Sequence, residues 1–157
     1  MSVNIKLNKT HPDAKLPQVN NTGYGTGDSG YDLVAIESVK IASNGSNTVA
    51  VGLRLAYISP GYWFRIEPRS GLGFMHSIQP HLGVIDNGYR GDLGVKLYNF
   101  SSTSPYYVKK GDKIAQLVVY RLLQPVFEFT DDTTHTKRGE KGFGSSDHTV
   151  PEGCFNG

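Results

Sequence analysis

No stretch of about eleven residues in this chain holds a clean helical period, whereas short runs with a period of two recur along most of its length. Val49, Val51, Leu53 and Leu55 alternate with small or polar residues behind the turn Ser43-Asn44-Gly45-Ser46. Tyr62 to Ile66 follows the turn Ser59-Pro60-Gly61, and Leu93, Val95 and Leu97 share one face. Lys113 to Tyr120 is a run rich in β-branched residues behind the turn Lys110-Gly111-Asp112. Leu122 to Phe129 reads as a further strand, with Pro125 marking an edge or a bend. Only Ser70 to Ser77 has the makings of a short helix. Many short strands, parted by turns every 8–12 residues or so, specify an all-β sandwich, jelly roll or barrel.

A length of 157 residues fits one domain and allows a sizeable core. A net charge of +2 does not by itself imply nucleic-acid binding. One cysteine, Cys154, excludes an intramolecular disulfide framework. No apolar run reaches the roughly 18 residues of a membrane span, and Met1 to Thr10 resembles no targeting segment. We therefore expect a cytoplasmic protein, or one of the host cytoplasm if its source is a phage or virus. The composition changes near residue 130. Thr130 to His135 is polar, Arg138 to Ser146 is glycine-rich without strand alternation, and His148 to Gly157 offers little to bury. This predicts a β core over 1–129 and a flexible C-terminal arm over 130–157, unless the last segment is simply a frayed terminus.

The 19 glycines are about 12% of the chain against a usual 7%, and they cluster. Gly83-Val-Ile-Asp-Asn-Gly-Tyr-Arg-Gly91 reads as a strand end, Val84-Ile85, followed by the turn signal Asn87-Gly88. It predicts a tight hairpin loop carrying Asp86 and Tyr89. There a carboxylate can take a proton from water and a ring can floor a flat or sugar-like ligand, or Asp86 merely caps the turn and Tyr89 packs outward. Arg69-Ser70-Gly71 places a guanidinium, a hydroxyl and a bare backbone N–H side by side, a set that suits a phosphate. Arg138-Gly-Glu-Lys-Gly-Phe-Gly-Ser145 repeats the set and adds Phe143, whose ring needs something to dock on. Gln116 is one amide on an apolar strand, a buried structural group or a ligand contact. The five histidines are scattered and none pairs with the cysteine in metal-binding spacing. A divalent ion, if used, arrives with a phosphorylated substrate as Mg²⁺ does.

Taken in order, Ser29-Gly-Tyr-Asp-Leu33, Pro68-Arg-Ser-Gly-Leu72, Gly83 to Gly91, Gly111-Asp-Lys-Ile-Ala-Gln-Leu117 and Arg138 to Ser145 resemble the five motifs of the homotrimeric dUTPases. The resemblance implies a distorted β jelly roll, assembled as trimers with sites shared between subunits. It implies hydrolysis of dUTP to dUMP and pyrophosphate with Mg²⁺. Asp86 would be the general base and Tyr89 would lie under the deoxyribose. Backbone groups from Gly83, Val84 and Ile85 through Gly94 would read the uracil edge. Arg69, Ser70 and Gly71 would hold phosphates, Gln116 would position water, and Asp32 would lie near the metal's hydration shell. The arm would bring Arg138 to the γ-phosphate and Phe143, Gly144 and Ser145 over the base. Ser29, Glu67, Ser146 and Asp147 depart from the usual pattern. The alternatives are a dCTP deaminase of the same fold, which would need a catalytic glutamate, and a non-catalytic dUTP-binding regulator, which would have lost catalytic residues.

Overall fold

The computed structural model describes residues 2–23 and 25–142. The chain forms two compact units, residues 1–123 and 124–157. The first carries β1 (Ile5–Lys9), β2 (Gly30–Val34), β3 (Val39–Ile41), β4 (Ser46–Ile58), β5 (Tyr62–Glu67), α1 (Ser70–His76), β6 (Ile78–Pro80), β7 (Gly83–Ile85), β8 (Asp92–Asn99), β9 (Tyr106–Val108) and β10 (Lys113–Arg121). One sheet has the order β1-β4-β8-β6, a second the order β2-β10-β5-β7, and β3 pairs with β9. All pairings are antiparallel. The architecture is the all-β, jelly-roll type that the period-two runs predict. Among the described residues no helix is long and apolar enough to cross a membrane.

The inward faces of the two main sheets share one apolar core. Leu93, Val95 and Leu97 of β8, Val49, Val51, Leu53 and Leu55 of β4, Phe64 and Ile66 of β5 and Ile114 and Leu117 of β10 belong to it. Phe64 is fully enclosed, and burying such a ring contributes about 1.5–3 kcal/mol.

Register shifts decide which side chains face in. Between Ala50 and Leu53 the β4–β8 ladder gains two residues on β4, because Ala50 faces Gly94 while Leu53 faces Leu93. An even insertion preserves parity, so the odd-numbered residues from Val49 to Leu55 all stay buried. On β10 the shift is odd: Lys113 faces Val34 and Ala115 faces Leu33. This one-residue bulge puts both Ile114 and Ala115 into the core and returns Lys113 to the outer face. Asp32, Gln116 and Glu67 then stand in one row across β2, β10 and β5.

Two expectations are corrected. Leu122 to Phe129 is not a strand. The β10 ladder ends where Arg121 meets Tyr62, the first residue of β5. Leu122 N–H makes a last bond to the Gly61 carbonyl, and beyond it Pro125 has no N–H to donate. The compact core closes at Leu123. The loop carrying Asp86 and Tyr89 is a tight turn but not a hairpin. β7 pairs with β5 in the second sheet, whereas β8 pairs with β4 and β6 in the first. The turn therefore carries the chain from one sheet to the other. Neither Asn87 nor Gly88 has a positive φ, so the twisted two-residue hairpin turn that Asn-Gly usually signals does not form.

Candidate active site

The outer face of the second sheet gathers one group of the expected residues around a cavity of about 390 Å³. Asp32, Arg69, Ser70, Gly71 and Gln116 all line it, together with Asn20 and Asp28. Asp32 is only 5% exposed. Its Oδ1 lies 2.8 Å from Arg69 Nε, and its Oδ2 lies 2.7 Å from Lys113 Nζ. Arg69 Nη1 donates to the Lys113 carbonyl at 3.2 Å, and Lys113 Nζ donates to Asn20 Oδ1 at 3.0 Å. The Gln116 amide donates to the Pro68 carbonyl at 2.9 Å. The rest of that side chain crosses Gly30, where a Cβ would overlap the carboxamide. Gly30 is therefore required for Gln116 to lie flat over β2. Arg69 is the extended residue preceding α1, and open space surrounds the Gly71 Cα.

A second group lies elsewhere on the same core. Gly83, Val84 and Ile85 form β7, the last strand of its sheet, paired with β5 on one side only. Its other edge leaves backbone N–H and C=O groups without a ladder partner. Asp86 and Tyr89 close the turn through a Tyr89 N–H bond to the Asp86 carbonyl at 3.0 Å. Asn87 fastens the turn, its amide donating to the Tyr62 and Ser59 carbonyls at 2.9 and 3.0 Å. The Asp86 side chain is exposed. The Tyr89 ring folds over Gly91, where a Cβ would strike it, and its hydroxyl donates to the Asp92 carbonyl at 2.8 Å. Arg54 Nε grips the Asp92 carboxylate at 2.8 Å, and that hydrogen bond holds the carboxyl below its ordinary range. Gly94 follows on β8, exposed and in the other sheet from Gly83.

None of Gly83, Val84, Ile85, Asp86, Tyr89 and Gly94 lines the cavity around Arg69. Arg138 belongs to the second unit, where its Nε donates to the Lys141 carbonyl at 2.9 Å. Phe143, Gly144 and Ser145 lie outside the described residues. Sequence reasoning missed Lys113, Asn20 and Asn87. The signal for Lys113 was legible. In Lys113-Ile-Ala-Gln116 two adjacent apolar residues sit between two polar ones, which breaks a period of two and marks a bulge.

The described residues hold no group of three or more His, Cys, Asp or Glu side chains suited to a metal. Asp28 and Asp32 do line the cavity beside Gln116. That is too few oxygens for the six or so that a hard divalent cation takes, but it fits an ion whose remaining ligands are phosphate and water.

An all-β core that offers a guanidinium, a hydroxyl and an open backbone amide beside the buried Asp32 carboxylate is chemically suited to a polyanion. The comparisons specify the family. A profile described as dUTPase matches residues 18–147. A deoxyuridine 5'-triphosphate nucleotidohydrolase of Solanum lycopersicum is 43% identical over 118 residues, which is 75% of this chain and 69% of that protein. One from Thermobifida fusca is 36% identical over 147 residues, 92% of this chain and 79% of that protein. In fold, the Staphylococcus bacteriophage 80alpha dUTPase with dUPNHPP superposes with a TM-score of 0.79 at 24% identity, covering 91% of this chain and 98% of that one. The chain belongs to the dUTPase family.

Proposed function

We propose that this chain hydrolyses dUTP to dUMP and pyrophosphate. The observation that carries the reading is the convergence of Arg69, Ser70, Gly71, Gln116 and Asp32 on one cavity, in a chain whose family match spans residues 18–147. Arg69, Ser70 and the Gly71 N–H take phosphate oxygens. Gln116, locked by Pro68 and Gly30, aims its carboxamide at water near the α-phosphorus. Asp86 is the general base: its exposed carboxylate accepts the proton of the attacking water as oxygen bonds to the α-phosphorus. The bond from that phosphorus to the bridging oxygen breaks, and pyrophosphate leaves. This needs positioning and charge neutralisation more than covalent help from the protein. Mg²⁺ would neutralise phosphate charge when bound, and Asp28 and Asp32, which line the cavity, would lie near its hydration shell. A mutant phage phi11 dUTPase of S. aureus, a fold neighbour at 22% identity, is described with a structural Mg(II) ion.

The free edge of β7 reads the uracil ring, and the Tyr89 ring, held flat over Gly91, supports the deoxyribose and leaves no room for a 2′-hydroxyl. That Asp86 and Tyr89 do not line the Arg69 cavity supports a homotrimer in which one copy's turn completes another copy's cavity. The arm over 130–157 closes the site, Arg138 meeting the γ-phosphate and Phe143 the base. Pyrophosphate release measured across dUTP, dCTP, dTTP and UTP tests the activity. Release with dUTP alone is expected. Ammonia release from dCTP would instead support a deaminase, and binding of dUTP without turnover a regulator.

A further inference from the structure

Lys113 has no role in the mechanism above, yet the fold goes to some length to place it. Without the bulge at Ile114, strict alternation from Gln116 would turn Lys113 into the core. The extra residue instead sends its ammonium to the outer face, 2.7 Å from Asp32 Oδ2. That oxygen is buried and accepts no hydrogen bond from the described residues, so the ammonium is what neutralises it. The other oxygen holds Arg69 Nε at 2.8 Å, and the Lys113 carbonyl takes Arg69 Nη1 at 3.2 Å. One residue thus grips the guanidinium twice, through its own carbonyl and through the carboxylate it balances.

We propose that Lys113 is the positioning residue that keeps Arg69 available to the triphosphate. The proposal rests on the reading of this site as a dUTP hydrolase. Asp32 and Arg69 alone form a neutral pair, and a buried carboxylate with one unpartnered oxygen draws a fork-shaped guanidinium into two parallel bonds. Arg69 would then face Asp32 rather than the ligand. With Lys113 on the second oxygen, Arg69 is held by one N–H of Nε and one of Nη1, and its other N–H groups are free for phosphate oxygens. The trio also carries a net charge of +1, where the pair would carry none. The ammonium does not itself line the cavity, so Lys113 acts through Asp32 and Arg69.

Removing the ammonium should therefore weaken triphosphate binding more than the chemical step. For Lys113→Met, with Mg²⁺ present, we expect KM for dUTP to rise at least tenfold while kcat changes less than threefold. Lys113→Arg, which restores a cation, should return KM to within about threefold of wild type. Affinity for dUMP, which lacks the β- and γ-phosphates, should fall much less than affinity for a non-hydrolysable dUTP analogue. Equal losses for dUMP and the analogue, or an unchanged KM, would overturn the proposal. So would a fall in melting temperature that Lys113→Arg repairs without repairing KM. Failure of the wild-type chain to release pyrophosphate from dUTP would instead bring down the functional reading on which the proposal depends.

Discussion

The cavity around Arg69 and the turn around Asp86 are held in opposite ways. At the cavity the functional side chains hold one another: Asp32 is clasped by Arg69 and Lys113, and Gln116 is pinned to the Pro68 carbonyl. At the turn the Asp86 side chain stands clear, and the backbone is held instead. The Asp86 carboxylate accepts no hydrogen bond among the described residues, while Asn87 ties the turn to the carbonyls of the β4–β5 connection. The contrast fits the two tasks proposed for these regions. A phosphate-binding guanidinium gains from a preset orientation, because ordering it during binding costs entropy. A general base must keep its lone pairs open to water. Rigidity therefore belongs in the side chains of one region and in the backbone of the other.

The sharpest break of this comparison is Asp86→Asn. It leaves the turn's hydrogen bonds in place and removes the base, so dUTP should bind nearly as before while kcat falls about 10²–10⁴-fold. Near-wild-type single-turnover rates would strip Asp86 of its role. Truncation after Thr136 asks whether the two regions suffice without the arm. It removes Arg138, whose charge-assisted bonds are each worth about 1.5–3 kcal/mol. We expect kcat/KM for dUTP to drop at least about 10²-fold with little change in melting temperature. Full activity would make the arm a bystander, and unfolding would make it structural.

Asn87→Ala sharpens the claim that the backbone is the fixed part of the turn. It removes the Asn87 donor from partly buried carbonyls, at a cost of about 1–3 kcal/mol. It should lower kcat roughly tenfold by letting Asp86 wander, and stability and kcat should fall together. A loss of stability with kcat intact would show that the turn does not aim the base.

The smallest effect concerns the turn's exit. Arg54 holds the Asp92 carboxyl below its ordinary range, chiefly by a hydrogen bond. A carboxylate whose folded pKa is depressed adds stability that is complete above its unfolded pKa and is lost as pH falls through the folded value. Both groups are exposed, so the loss should be slight and confined to below about pH 4. Asp92→Asn should flatten only that acid limb of a melting-temperature profile. A change near neutral pH would mean that the pair does more than fasten Tyr89.

Much of this was legible in the chain itself. Alternation located β4 and β8, and turn signals before apolar or β-branched runs located β5 and β10, because a strand without a bulge sends alternate residues to opposite faces. The residue types of Arg69-Ser70-Gly71 pointed to a phosphate, because a guanidinium beside a hydroxyl and glycine suits one wherever it lies. What failed was what depends on a partner. Leu122 to Phe129 has a strand's composition, but a strand exists only where another offers a ladder, and β5 has ended by then. Asn87-Gly88 has a hairpin's sequence, but its flanking strands pair in different sheets. Lys113 shows the division within a single residue. The sequence placed it in a motif, and the break in alternation that marks its outward face went unread. Only the tertiary structure brought it to Asp32, because an ion pair between residues 81 positions apart is set by sheet register, and register is decided by how strands fit together rather than by any one strand.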